Sequence, residues 1–344
     1  MDKVRLGFVG AGYMGQLAHL ANFVTFDTCE VVALAERRPR LARQVADKYR
    51  IPKVYKSHLD LCNDPEIDAV AEITSDDLHA PVAIDLMNAG KHVFMEKPMA
   101  TNVEDAHAMV ETAKRNGVKL VIGYMKRYDP GVEVAKRMID DLRASNELGP
   151  ITLVRAHCFG GDWVCNIGKH ITTDEPYPEV VRRPPAGLPE ARIGPFYGFN
   201  NVYCHDVNLL RHLAGDVKTV KYADLNSPAR VVVFGMDGFD AVLEVGGISA
   251  NFWDEEFKVY FQHGWVEVHT PSPLLRNVPA RVEVYKAGKI QERSQPQAIW
   301  DWGFKRADEQ FIECILHDRE SRSSGADSLR DVELMEEMFR TFGG

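Results

Sequence analysis

Gly10-Ala11-Gly12-Tyr13-Met14-Gly15 follows the apolar run Val4–Val9 at once and leads into Met14 to Phe26, whose apolar spacing suits a helix. That G-x-G-x-x-G setting can cradle a pyrophosphate. The first glycine permits a tight turn, the second lets backbone approach the phosphates, and the third lets the helix sit close to the sheet. Free N–H groups and the positive end of the helix then face the anion. Glu36 stands about twenty residues on, at the end of a second apolar run, where an acid bonds ribose hydroxyls. The pattern predicts that Gly10, Gly12, Tyr13, Met14, Gly15 and Glu36 hold a nicotinamide dinucleotide. Glu36 favours NAD, because a carboxylate repels a 2′-phosphate. Arg37 and Arg38 follow it and keep NADP open, since an arginine there can hold that phosphate or stack on adenine. As a plain alternative they are a solvated helix start.

The elements that must position these residues alternate over the first third. Val4–Val9, Glu30–Ala35, Ile67–Ile73, Lys91–Met95 and Lys119–Ile122 read as strands separated by helical patterns, which means βαβ units and a parallel sheet. Near residue 123 the pattern changes. A helix from Pro130 to Leu142 precedes a strand starting at Ile151. Phe257–Phe261 with Trp265–His269, Arg281–Tyr285 turning at Ala287-Gly288, and Ala241–Val245 with Ile248–Phe252 about Gly246-Gly247 read as antiparallel hairpins. Trp302–His317 and Ala326–Phe342 read as closing helices. The Pro- and Gly-rich stretch from about Phe159 to Phe199 reads as a long loop, a kind that is usually functional or mobile. The expected fold class is α/β: an N-terminal Rossmann domain, a doubly wound parallel sheet over residues 1–123, then a second domain over 124–302 with an antiparallel sheet.

At 344 residues, two domains are the default. With 41 Lys plus Arg against 50 Asp plus Glu, the formal charge of -9 argues against nucleic acid or an anionic membrane as main partner. No apolar run approaches the ~18 residues of a membrane span. The six cysteines are scattered without a C-x-x-C pair, and no leader pattern can be fitted ahead of Val4, so reduced thiols and a cytoplasmic location are expected.

Gly90-Lys91-His92-Val93-Phe94-Met95-Glu96-Lys97-Pro98, together with the glycine fingerprint, resembles the Gfo/Idh/MocA family of sugar and cyclitol oxidoreductases, which is marked by E-K-P after the fifth Rossmann strand. Thr74-Ser75-Asp76-Asp77-Leu78-His79, Gly123–Pro130, His205–Gly215 and Gly325–Glu333 fit the same family in order, and residues 158–200 lie outside the resemblance. The resemblance implies that the second domain is α/β, built on a large, mostly antiparallel sheet, and that a C-terminal segment, about 303–344, returns to the Rossmann domain. It also implies a homo-oligomer, dimer or tetramer, built on the open face of the second sheet.

It implies further that Thr74, Ser75, Asp76, His79, Glu96 and Lys97 join the cofactor site with Arg37 and Arg38, and that Lys97 and His205 flank the reacting carbon of a carbohydrate. Such a pair suits alcohol oxidation. A histidine takes a proton near neutral pH. A partly buried lysine beside oxidised nicotinamide has its pKa lowered by burial and like charge, and so can polarise the hydroxyl or share the proton. A cis Lys97-Pro98 bond is plausible at such a turn. The chain departs from the family at three points: Asn201 replaces an aspartate four residues before the histidine, Tyr203 a glycine two before it, and Met125 a common asparagine. Tyr203 could put a phenol into the pocket.

For substrate, the family layout points to Lys97, Lys126, Arg127, Trp163, Asn201, Tyr203 and His205, with Lys169, His170, Arg182, Arg183 and Arg192 as further candidates. Arginine forks clamp anionic groups, although a solvated loop explains the same residues. His157, Cys158, Cys165 and His170 match no standard zinc spacing, and no metal is expected. The primary expectation is oxidation or reduction of a secondary alcohol or ketone on a sugar or cyclitol. One alternative is an NAD-dependent glycosidase that oxidises a ring hydroxyl transiently and cleaves by elimination; another is a non-catalytic nucleotide-sensing regulator.

Overall fold

A computed structural model describes residues 3–249 and 251–342. Two compact units account for them. The first comprises Met1–Tyr124, Gly168–Gly187 and Phe304–Glu333, and the second Met125–Ile167, Leu188–Gly303 and Leu334–Gly344.

The first unit holds a six-stranded parallel sheet in the order β3-β2-β1-β4-β5-β6. Its strands are β1 (Val4–Val9), β2 (Cys29–Ala35), β3 (Lys53–Tyr55), β4 (Ala69–Glu72), β5 (His92–Met95) and β6 (Leu120–Ile122). Strand β4 is buried throughout and β1 nearly so, as sheets covered on both faces require. The edge strand β3 is half-buried and short, with no apolar run to announce it. Around the sheet lie α1 (Gly15–Leu20, wound as a π-helix and continued by Ala21–Phe23), α2 (Pro39–Tyr49), α3 (His58–Cys62), α4 (Asp76–Asn88) and α5 (Val103–Asn116).

The returning C-terminal stretch adds to the core of the same unit. Phe94 on β5 packs against Phe23 at 6.1 Å and against Phe311 at 5.7 Å between ring centroids. All three rings are fully buried, each contributing roughly 1.5–3 kcal/mol of hydrophobic stabilisation. Beside β6, Ile122 N–H donates to Ser323 O, and Ser323 Oγ donates back to Ile122 O at 2.6 Å.

The second unit holds an eight-stranded sheet, in the order β14-β13-β12-β11-β7-β10-β9-β8. It is antiparallel except where β7 (Ile151–Gly160) and β10 (Asp240–Gly247) run parallel. The remaining strands are β8 (Thr219–Asp224), β9 (Arg230–Gly235), β11 (Asp254–Phe261), β12 (Gly264–His269), β13 (Arg281–Lys286) and β14 (Glu292–Ser294). Strand β11 alternates buried and half-buried residues after its exposed first one, the period-2 signature of a one-faced sheet. Its helices are α6 (Pro130–Ser145) and α7 (Glu190–Ala214); of the closing pair, α8 (Gly303–Leu316) belongs from Phe304 onward to the first unit, and α9 (Gly325–Phe342) belongs to the first unit as far as Glu333 and to the second beyond it.

Two expectations are corrected here. Ala241–Val245 and Ile248–Phe252 do not form a hairpin about Gly246-Gly247. Strand β10 continues through both glycines and pairs with β7 and β9, while 248–252 is not a strand, Ala250 lying outside the described residues. The long loop also ends earlier than Phe199, because α7 begins at Glu190 and carries Pro195 in its first turns.

Candidate active site

Gly10 follows β1 with φ +89, and a Cβ there would lie 2.2 Å from Ile73 O, just past β4. No side chain can occupy that position. A Cβ at Gly15 would lie 2.3 Å from Gly10 O, so the helix start closes directly on the turn. A Cβ at Gly12 would meet only the Tyr177 hydroxyl, at 3.5 Å, an ordinary contact. Glu36 docks on this turn: Ala11 N–H donates to its Oε2 at 2.9 Å, and Arg38 donates to both oxygens at 2.9 and 3.0 Å. Burial alone would raise its pKa, but the hydrogen bonds from Arg38 and Ala11 outweigh that and hold it below the ordinary carboxylate range. A constricted turn with an ionised acid at its lip fits a dinucleotide's pyrophosphate and adenosine ribose. Arg37 reaches away, toward Glu179 O at 3.5 Å.

Lys97 follows β5 in the same unit, half-buried, and its bond to Pro98 is cis. Glu96 beside it is buried and turns inward: Oε2 accepts Lys97 N–H at 3.0 Å, while Oε1 meets His19 Nε2 at 2.8 Å. His19 Nδ1 meets Asp308 Oδ1 at 2.8 Å, and Asn22 Nδ2 donates to the other Asp308 oxygen at 2.9 Å. Burial would strip the proton from this imidazole; the charge of Asp308 and hydrogen bonds to Asp308 and Glu96 instead push its pKa up to about 10. His79 is fully buried too, Nδ1 donating to Pro98 O at 2.7 Å. Thus Glu96 and His79, expected at the cofactor, both grip the loop that carries Lys97. Ser75 stands at the N-cap position of α4 without a side-chain capping bond, and Thr74 Oγ1 donates to the buried Glu72. Sequence reasoning missed His19 and Asp308. The i, i+3 repeat of polar Gln16, His19 and Asn22 inside an apolar helix was a usable signal for the first.

In the second unit, α7 carries Asn201 and His205 one turn apart on one face. Asn201 is exposed and His205 half-buried. Tyr203 is not a pocket phenol: its hydroxyl donates to Gly246 O at 2.7 Å, its ring lies against Phe199, and burial pushes its pKa up to about 12. Lys126 and Arg127 also point into the unit's interior. Lys126, 6% exposed, pairs with Glu255 and lies 3.8 Å from Asp206. Arg127 donates through Nε to Asn208 Oδ1 at 2.7 Å. Each side chain is committed to buried partners that would otherwise be left unsatisfied. Asp129, from the same motif, caps α6 through Gly131 and Val132 and ties it to Ala280 N–H at 2.9 Å. Trp163 remains 44% exposed, and Arg192 donates to Phe339 O at 3.1 Å.

No cluster of metal-type ligands among the described residues joins His157, Cys158, Cys165 and His170. Among the described residues, metal-type ligands gather as Cys158, Asp206 and Glu255, and as Glu256, Glu267 and His269. Lys126 stands at the first group and Lys258 at the second, so each already holds a cation. No helix among the described residues is long and apolar enough to cross a membrane.

Residues 4–124 match the family model described as "Oxidoreductase family, NAD-binding Rossmann fold". Across 281 residues the chain is 31% identical to inositol 2-dehydrogenase of Salmonella typhimurium, covering 78% of this chain and 74% of that protein. Two solved structures share the fold at 18% identity. Levoglucosan dehydrogenase, in complex with NADH and levoglucosan, superposes with a TM-score of 0.77 over 99% of this chain and 97% of its own. A 3-ketoreductase from Actinomadura kijaniata, in complex with TDP-benzene and NADP, does so with a TM-score of 0.74 over 99% and 98%.

Proposed function

The chain belongs to the Gfo/Idh/MocA family of oxidoreductases, and from that membership we propose that it interconverts a secondary alcohol and a ketone on a cyclitol or pyranose, with NAD as the preferred dinucleotide. It is an oxidoreductase that uses a nicotinamide cofactor. The observation that carries the substrate reading is the likeness to an inositol 2-dehydrogenase over more than three quarters of the chain. A ring of secondary hydroxyls is the shared chemistry of that class.

The dinucleotide, when bound, supplies the two-electron acceptor for the carbinol hydrogen. The chain's own residues handle the proton and the orientation. His205 takes the hydroxyl proton as base, and the ammonium of Lys97 hydrogen-bonds the oxygen and stabilises the charge that develops there. Asn201, one turn before His205, donates to a neighbouring hydroxyl of the ring. Glu36 supports the NAD preference: its ionised carboxylate, already bound by Ala11 and Arg38, repels a 2′-phosphate and leaves Arg38 engaged. The glycosidase and regulator readings draw no support from relatives that are dehydrogenases. In this reading the chain works as a homo-oligomer through its eight-stranded sheet.

A panel of cyclitols, pyranoses and aryl glycosides, with NAD and NADP in parallel, tests the proposal. Accumulating reduced cofactor with cyclitols or pyranoses is the expected result. Aglycone release without net reduction would overturn it in favour of the glycosidase.

A further inference from the structure

The segment Gly168–Gly187, part of the long Pro- and Gly-rich stretch, belongs to the first unit, and its contacts fall on a particular set of places. Ile171 is clasped by the side chain of Gln16, the residue after the third fingerprint glycine: its N–H donates to Gln16 Oε1 at 2.8 Å, and its carbonyl accepts from Nε2 at 2.9 Å. Glu175 accepts the N–H groups of Arg40 and Leu41, both at 3.1 Å, at the start of α2, a helix whose own N-cap offers no side-chain bond. Arg183 forms a fork with Asp105 at 2.7 and 2.5 Å, and its N–H donates to Asp77 at 2.7 Å, in the first turns of α5 and α4. The segment therefore runs across the ends of the parallel sheet where helices begin, the side on which open α/β sheets bind their ligands.

Tyr177 lies between these anchors. Its ring sits 4.5 Å from the Arg38 guanidinium carbon, and Arg38 is itself bound to Glu36. Its hydroxyl stands 3.5 Å from where Gly12 would carry a Cβ. One side chain thus spans from the acid that receives the adenosine ribose to the backbone that receives the pyrophosphate. Yet Tyr177 is 72% exposed, a large aromatic face held over a nucleotide site with little covering it. Adenine, joined to that same ribose, has a flat face of matching size, and aromatic–base stacking is favourable whatever the base.

Resting on the reading of this unit as the dinucleotide site, the geometry points to residues 168–187 as a strap that forms the outer wall of that site: the adenosine half of the cofactor stacks on Tyr177 and leaves only when the strap lifts. The strap is tied by Gln16 on one side and by Arg183 on the other, so untying Arg183 frees Tyr177 without altering the glycine turn or Glu36.

Stopped-flow dissociation of NADH, followed by energy transfer from protein tryptophan, tests this in the full-length protein. Tyr177→Ala is expected to raise the dissociation rate and the Kd about tenfold or more, and Tyr177→Phe to stay near wild type. Arg183→Ala is expected to raise the dissociation rate several-fold. Because Tyr177 is mostly exposed, its truncation leaves the fold intact, which an unchanged Tm verifies. A wild-type dissociation rate in Tyr177→Ala overturns the strap, whatever Arg183→Ala does, and leaves the enzymatic reading standing. A wild-type protein that binds neither NADH nor NADPH removes the enzymatic reading itself.

Discussion

His19 Nε2 lies 2.8 Å from Glu96 Oε1, and the other Glu96 oxygen accepts the N–H of Lys97. A residue of the first helix therefore sets the carboxylate that holds the backbone of the proposed catalytic lysine. The chain of bonds continues through His19 Nδ1 to Asp308, on a helix nearly the length of the sequence away. Two carboxylates around one imidazole carry a formal charge of minus one when the ring is protonated, in a place with almost no water. Such a network is costly to leave half-made. Its geometry ties together the glycine-turned helix, the E-K-P loop and α8 inside the first unit.

Replacing His19 by Gln is predicted to cost about 3 kcal/mol or more, because Glu96 and Asp308 lose the buried cation between them. The pH dependence gives a sharper readout. His19 titrates near its ordinary 6.5 when unfolded and at about 10 when folded. Between those values the folded state holds the extra proton, so this contribution to stability is full below about 6.5 and declines as pH rises toward 10. Thermal melts from pH 6.5 to 10 should show that decline in the wild type and a flatter profile in His19→Gln. Parallel profiles would remove His19 from the account.

Lys97→Met keeps an unbranched chain but loses the ammonium. It should lower kcat at least about a hundredfold, the typical scale of a positioned proton-handling group, with NADH affinity held within a few-fold. His205→Asn should do likewise. A variant of either residue with kcat near wild type would take that residue out of the chemistry.

Glu36→Ser removes the charge that faces a 2′-phosphate and frees Arg38, which now spends its donors on that acid. The ratio of kcat/KM for NAD over NADP should fall at least about tenfold, equivalent to roughly 1.4 kcal/mol. An unmoved ratio would show that selectivity resides elsewhere.

Tyr203→Phe loses a single buried hydrogen bond to Gly246 O, worth about 1 kcal/mol of stability. Turnover should stay within about threefold of wild type. A hundredfold loss in kcat would mean that the phenol acts on the substrate after all.

How far the sequence could be read depended on the kind of force involved. The strand–glycine–helix start and Glu36 were legible because their constraints are local: a turn with φ +89 at Gly10 admits no side chain, and the apolar runs of β1 and β2 write burial into the chain. The Asp308–His19–Glu96 network was not, because its three members are joined only by folding. The partners of Lys126 and Arg127 were equally hidden: the family layout made them substrate candidates, while Glu255 and Asn208, distant in sequence, take up their donors. The short edge strand β3 and the early start of α7, with a proline in its opening turns, lacked the periodicity on which reading by pattern depends. Gly168–Gly187 looked like a loop and is one, but what it lies on follows from Arg183 meeting Asp105, a pairing no spacing rule foretells.

Direct transfer of the carbinol hydrogen is the most exposed consequence of the proposed reaction. A cyclitol deuterated at its oxidisable carbon, incubated with the wild-type protein and NAD, should deliver that deuterium to the reduced nicotinamide with matching yields of ketone and NADD by mass spectrometry. Lys97→Met should abolish both signals together. Ketone formed without deuterium in the cofactor, or a substrate recovered unoxidised beside a released aglycone, would contradict the account.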